Sequence, residues 1–275
     1  MNLRNKALNL MVHIFLLIYS IIILYPMFWM LMSSFKSNNE FMLSPWNLPA
    51  VWRVENYISA WEKGIQGYFL NSIFVAGLST LVVIMISSMF SFMLARFPFK
   101  GSEKMSYIFF IGNMIPIHCV LIPLFSMANK VGLIDSLLAL VIVYIAFNLP
   151  MSVFLTYGIY RQLPNELQEA SVIDGCNVYK MYWHVFLPLG KPAIITSVIL
   201  TLVSTWNEFS FALILINDAR KLTIPLGLMA LQGTYVTDYS TLGASLVIAA
   251  CPLIIIYMLL GSRIQEGMTA GAVKG

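Results

Sequence analysis

The residues of this 275-residue chain with the means to do chemistry fall in two places. One is Thr205-Trp206-Asn207-Glu208-Phe209, where Glu208 is the acid that clearly interrupts a long apolar run. Ionisable residues in such runs usually face a bundle interior or an aqueous path. An indole, an amide and a carboxylate in a row suit a sugar ring, by stacking and hydrogen bonding. A plainer role competes: Glu208 near the end of a run, bonded only to a neighbouring helix. Asn148 and Pro150 are further pathway candidates, because a proline loosens backbone bonding beside a cavity, as do Pro116 and Pro123. His118, between those two prolines, reads as a helix-to-helix hydrogen-bonding group rather than a proton relay. The other place is 169–192, EASVIDGCNVYKMYWHVFLPLGKP, where carboxylates, lysines and a histidine stand between stretches fit for lipid.

Several chemistries are excluded. The nucleotide loop GxxxxGK[ST] is absent, as are HExxH, GxSxG and clustered His or Cys ligands, so the chain reads as neither a catalyst nor a metal site. Cys119, Cys176 and Cys251 are scattered and odd in number, which suits apolar fillers rather than disulfides. A net charge of +4 fits basic membrane-facing loops better than a nucleic-acid surface.

The elements that must position these residues are membrane spans. The chain is 59% hydrophobic and 10% charged, against roughly 25% charged in soluble domains. Stretches free of Asp, Glu, Lys and Arg predict six helices at about 8–33, 68–95, 106–128, 136–160, 193–216 and 239–262, within a single transmembrane domain, 1–275. The strand alternation of a β-barrel is missing. The first run is too long for a signal peptide and lacks a small-residue cleavage site, so it is expected as a retained span. Lys and Arg concentrate on the side of Arg96, Lys100 and Lys104 and of Arg161, Lys180 and Lys191, which places both termini and the 161–191 connection in the cytoplasm. On the other side, the 36–63 loop carries Trp46, Trp52 and Trp61 at headgroup level, and the 218–238 loop, with Gly233, Tyr235 and Asp238, is expected to meet an external partner.

The 161–191 connection is no seventh span. Arg161, Glu166, Glu169, Asp174, Lys180 and Lys191 would each cost about 2.5 kcal/mol near a bilayer centre, or about 15 kcal/mol together. It has helix grammar nonetheless. Pro164 suits a first turn, and Glu166 and Glu169 sit near the positive end of a helix dipole. Leu163, Leu167, Ala170, Ile173 and Asp174 recur at helical spacing. Gly175 supplies a left-handed stop, and Asn177 caps a second helix expected over Val178–Phe186, ending before Leu187-Pro188. Ala170 and Ser171 leave room for close approach beside the charges of Glu169 and Asp174. The hairpin is thus either a solvated connection or a docking knob.

The same stretch resembles the "EAA" signature of permease subunits of binding-protein-dependent ATP-binding-cassette (ABC) importers. Glu169, Ala170, Asp174, Gly175, Tyr182, Val185, Leu187, Pro188 and Pro192 stand at the family's positions, and Ser171 and Cys176 replace alanines. Nearly the whole chain is similar to the six-span member of carbohydrate permease pairs of the maltose-importer type, through SSFKSN (33–38), ENYISAW (55–61), NSIFVA (71–76), ARFPFKG (95–101), FNLPMSVFL (147–155), STWNEF (204–209) and EGMTAGAVKG (266–275). The resemblance implies an all-α integral membrane protein with the type I importer permease fold in a prokaryotic cytoplasmic membrane. Residues 164–186 would be a coupling-helix hairpin, with Glu169, Ala170, Ser171, Asp174, Gly175, Tyr182, Leu187 and Pro188 as ATPase-coupling residues. The implied partners are a second permease, two cytoplasmic ATPase subunits that use ATP and Mg, an extracytoplasmic solute-binding protein and a sugar. This chain would bind no cofactor itself, and its flexible tail, 267–275, would also touch the ATPases. An ion-coupled secondary transporter of a small polar solute is the alternative; such proteins usually show several intramembrane acids.

Overall fold

A computed structural model describes residues 3–232 and 238–272, and every regular element among them is helical. Gly233 and Tyr235 lie outside the described residues. By contacts the chain divides into two compact units, Met1–Gln66 with Leu228–Cys251 and Gly67–Gly227 with Pro252–Gly275.

The first unit holds α1 (Leu3–Ser33), α2 (Asn38–Leu43) and α3 (Glu55–Ala60), then a π-type turn at Trp61–Ile65 in which Gly64 takes φ 122°. The apolar stretch of α1 is exposed from Asn9 to Phe28, while towards its end Trp29 bonds the Pro45 carbonyl and Ser33 is buried. The long 36–63 loop is folded around a lysine. Lys36 is 1% exposed and its Nζ donates to the carbonyls of Ser44 (2.9 Å) and Pro45 (2.8 Å). Trp46 and Trp52 remain exposed, as headgroup-level aromatics would be.

The second unit is built on α4 (Gln66–Arg96), α5 (Ser102–Gly112), α6 (Ile117–Lys130) and α7 (Leu137–Gln162). There follow α8 (Glu166–Ile173), α9 (Val178–Met181), a π-type turn (Tyr182–Phe186), α10 (Leu187–Leu189), α11 (Lys191–Trp206), α12 (Ser210–Leu215) and α13 (Ile224–Leu231). The last helix, α14, runs Tyr239–Ala272, so residues 267–272 of the tail expected to be flexible are helical. In α4 and α7 hydroxyls bond across the helix contact: Ser87 to Ser152 at 2.6 Å and Ser91 to Thr156 at 2.7 Å. Small hydroxylated residues allow this close approach where lipid offers no hydrophobic drive.

Four helical runs are long and apolar enough to cross a membrane: Asn9–Ser33, Glu55–Arg96, Leu137–Gln162 and Tyr239–Leu259. Two bent pairs also pass by length and composition, giving up to six among the described residues if each pair is one span. One is α5 with α6, bent by 97°, where a straight span over 106–128 was expected. The helix α5 ends at Gly112, a turn follows, and Pro116, extended with ψ 129°, is the N-cap from which α6 starts at Ile117. The other pairs Val178–Leu189 with α11 at 75°. The stretch 193–216, expected as one span, is also interrupted: α11 ends at Trp206 and α12 begins after Glu208.

Candidate functional site: the polar hairpin and its anchor

The hairpin is shaped by local rules. Leu163 is extended, as the residue before Pro164 must be, and ends α7. The helix α8 then closes in a complete Schellman motif. Gly175 sits at φ 73°, its N–H bonds the Val172 carbonyl, and the Cys176 N–H bonds the Ser171 carbonyl. Asn177 caps α9 by accepting from the Lys180 N–H at 2.9 Å. The second helix differs from expectation. It does not end before Leu187 but passes through the π-type turn into Leu187–Leu189. That wider turn shifts the bond ladder where Pro188 has no N–H to give.

One side of the hairpin is buried. Met181, Tyr182 and Phe186 pack with Phe92 of α4 and Tyr160 of α7. The Tyr182 hydroxyl donates to Ser88 Oγ (3.0 Å), which also bonds the Tyr160 hydroxyl (2.8 Å). Gly190 is required at the exit, since a Cβ there would lie 2.5 Å from the Tyr160 ring. Of the EAA residues, Tyr182 thus anchors, and Ser171 is tied down by its own Oγ–Leu167 carbonyl bond.

Sequence reading missed the centre of this anchor. Arg96, counted there only as a topology charge, is 6% exposed. Its guanidinium donates to the carbonyls of Tyr160 (2.6 Å) and Leu163 (2.5 Å) and to Asn165 Oδ1 (3.0 Å), and lies 4.9 Å from the Phe186 ring centroid. Its own carbonyl accepts from Gln168 Nε2. One side chain therefore joins the ends of α4 and α7 to the start of α8. The available signal was an arginine ending a long apolar run, inside ARFPFKG.

The other side of the hairpin is bare. Glu169, Ala170, Asp174 and Gly175 are exposed, with Val172, Ile173, Tyr179 and Trp183 beside them; Ile173 is 84% exposed. A groove of about 630 Å³ runs along α8, lined by Ala95, Arg96, Pro98, Asn165, Gln168, Glu169, Val172 and Ile173. Exposed apolar side chains rimmed by acids, on a rigidly seated helix, have the character of a protein-docking surface.

The second candidate place takes a different form from the one expected. Trp206 is 5% exposed and meets Phe69 edge-on, with centroids 5.7 Å apart, so its face is not offered to a ligand. Both Glu208 oxygens are engaged: they accept from the Phe211 (2.7 Å) and Ala212 (3.2 Å) N–H groups and from the buried Tyr144 hydroxyl (2.7 Å). Glu208 holds the start of α12 and bonds the neighbouring α7 through Tyr144. Asn207 is exposed, its amide bonded to the Val203 carbonyl. Asn148 stands elsewhere. It lines a slot of about 270 Å³ with Met151, Ser152 and Leu155 of α7 and Ser197, Leu200, Thr201 and Ser204 of α11. Ser197, Thr201 and Ser204 share one helix face, and Ser197 Oγ, 1% exposed, has no hydrogen-bond partner.

A helical membrane bundle with a hairpin braced on one side and bare on the other has the form of a membrane subunit that offers a docking surface. Comparison gives the particular class. The bacterial ABC transporter that imports the acidic polysaccharide alginate has a chain of the same fold, with TM-score 0.84 over 95% of this chain and 98% of that one at 20% identity. The family described as binding-protein-dependent transport system inner membrane component matches residues 87–269. A probable ABC transporter permease of Bacillus subtilis, YurM, is 38% identical over 96% of this chain and 88% of its own length. The diacetylchitobiose uptake permease NgcG of Streptomyces coelicolor is 34% identical over 95% and 88%. The trehalose/maltose permease MalG of Thermococcus litoralis is 34% identical over 94% of each. The chain belongs to the binding-protein-dependent transport family: it is a permease subunit of an ABC importer, a transport component rather than an enzyme. Membership sets aside the ion-coupled alternative.

Proposed function

We propose that this permease carries a sugar or short oligosaccharide and is driven through the 164–186 hairpin by two cytoplasmic ATPase subunits that use ATP and Mg. A second permease completes the pathway, and an extracytoplasmic solute-binding protein delivers the substrate. Relatives named for diacetylchitobiose and for trehalose/maltose support the substrate class. In this reading both termini and the hairpin face the cytoplasm, and Glu169, Ala170, Asp174 and Gly175 meet the ATPase while Ser171, Tyr182, Leu187 and Pro188 seat the hairpin. The outer 218–238 loop, with Arg220 exposed, meets the binding protein. The substrate wall is the hydroxyl-lined slot of Asn148, Ser197, Thr201 and Ser204.

The observation that carries the reading is the asymmetry of the hairpin, locked to the spans by Arg96 and the aromatic cluster on one side and bare on the other. ATP-driven movement at the bare side would be passed to α4 and α7 without loss in a soft joint. The test is substrate-stimulated ATP hydrolysis by the reconstituted importer. Gly175→Pro, or Glu169→Lys with Ala170→Trp, is expected to abolish stimulation and uptake while leaving membrane insertion intact. Full transport by either variant, or labelling of Cys176 from outside intact cells, would refute the assignment.

A further inference from the structure

A second groove, of about 340 Å³, lies between α5 and α7, and its lining changes in step along both helices. From its start, α5 contributes Glu103, Ser106, Tyr107 and Phe110; α7, read back from its end, contributes Arg161, Tyr157, Phe154 and Val153. One end of the groove is therefore charged, the middle carries hydroxyls and the far end is apolar, where the Phe110 and Phe154 rings stand 5.6 Å apart. Headgroup, ester region and acyl chain of one bilayer leaflet follow the same order.

The charged end holds an acid and a base that ignore each other. Neither the Glu103 carboxylate nor the Arg161 guanidinium has an ion pair or a side-chain hydrogen bond among the described residues, though both are exposed on the same rim. A ligand with an anion and a cation a few ångströms apart satisfies both at once. We propose that this groove is a site for one zwitterionic phospholipid of the ethanolamine class, its phosphate on Arg161, its ammonium on Glu103 and an acyl chain against Phe110, Val153 and Phe154. A carboxylate only accepts hydrogen bonds, so it favours an ammonium with N–H donors over a quaternary choline. An anionic headgroup would find Arg161 but meet Glu103 with like charge. The leaflet rests on the orientation proposed above; binding itself does not, and its readout is independent of transport.

The intact importer, reconstituted in nanodiscs of phosphatidylethanolamine, phosphatidylglycerol and phosphatidylcholine in equal parts, is released for native mass spectrometry and its retained lipids counted. One charge-assisted hydrogen bond corresponds to about a tenfold preference, so phosphatidylethanolamine is expected about tenfold over phosphatidylcholine. Arg161→Gln should remove retention of phosphatidylethanolamine and phosphatidylglycerol alike. Glu103→Gln should abolish the preference over phosphatidylcholine while phosphatidylglycerol, freed of the like charge, is retained more strongly. Arg161→Lys, which keeps the charge, should retain phosphatidylethanolamine, separating lost binding from damaged assembly. Equal retention by wild type and Arg161→Gln, or a side chain of the second permease occupying the groove in an image of the assembly, overturns the proposal.

Discussion

The two connections that flank α11 are held by opposite chemistry. The one before it, residues 163–190, is seated by burial: Phe92, Tyr160, Met181, Tyr182 and Phe186 around the Arg96 guanidinium. The one after it, residues 207–223, is seated by carboxylates on backbone amides. Asp135, the non-glycine residue with positive φ (58°) among those described, accepts from the Asn217 and Asp218 N–H groups, and its carbonyl accepts from Lys221 Nζ. Asp218 in turn is gripped by the Arg220 guanidinium through two bonds. A packed aromatic joint resists deformation and suits the passage of force. Hydrogen bonds at an exposed surface exchange with water and suit a part that must re-form around a delivered partner.

The comparison can be broken most severely at Arg96. Arg96→Ala leaves the buried Tyr160 and Leu163 carbonyls without donors, at about 1–3 kcal/mol each, and ATP-driven uptake should fall to background. Melting of the purified importer checks the stability loss. If the joint is soft instead, uptake survives. Next comes Gly190→Ala, whose methyl group would collide with the Tyr160 ring, an overpacking cost of about 1–3 kcal/mol. Unstimulated ATPase should persist in this variant while stimulation by loaded binding protein drops. Gly175→Ala is milder. Its Cβ meets open space, so only the left-handed backbone is penalised, by about 1 kcal/mol, and uptake should fall a few-fold.

In the connection after α11, Glu208→Gln weakens one anchor of α12 by about 1 kcal/mol, and the substrate concentration for half-maximal uptake should not change. A large change would return Glu208 to direct sugar contact. The smallest effect is pH. The hydrogen bonds and charge of Arg220 hold the Asp218 carboxyl down at about 2, and the Asn217 and Asp218 amides lower Asp135. A carboxyl lowered on folding stabilises at pH above its unfolded value, and the contribution fades as pH falls through the folded one. Pepsin cleavage within 216–222 should therefore rise between about pH 4 and pH 2, and Asp218→Asn should show it already at the upper end. The aromatic joint contains no such carboxylate, and its cleavage should follow a different course.

Legibility tracked how local the cause was. Gly175 and Asn177 were readable because a left-handed stop and a helix cap are decided within a few residues. The six apolar stretches were readable because lipid demands length. The bend at Pro116 announced itself in sequence, yet it looked like loosening rather than a 97° break, since how far a chain turns depends on what receives it. Arg96 was opaque because its acceptors lie more than sixty positions later in the chain. Trp206 and Glu208 misled for the same reason: the residue types suited a sugar, but Phe69 and Tyr144 had already claimed them.

Every hydrogen-bond acceptor of Arg96 among the described residues is neutral, two carbonyls and an amide oxygen, so no ion pair there cancels its positive charge. Carrying a whole elementary charge across a polarised membrane is worth about 2.3 kcal/mol per 100 mV. In a cell with a negative interior, the voltage itself would hold this residue on the inner side, and a chain inserted upside down would have to drag it uphill.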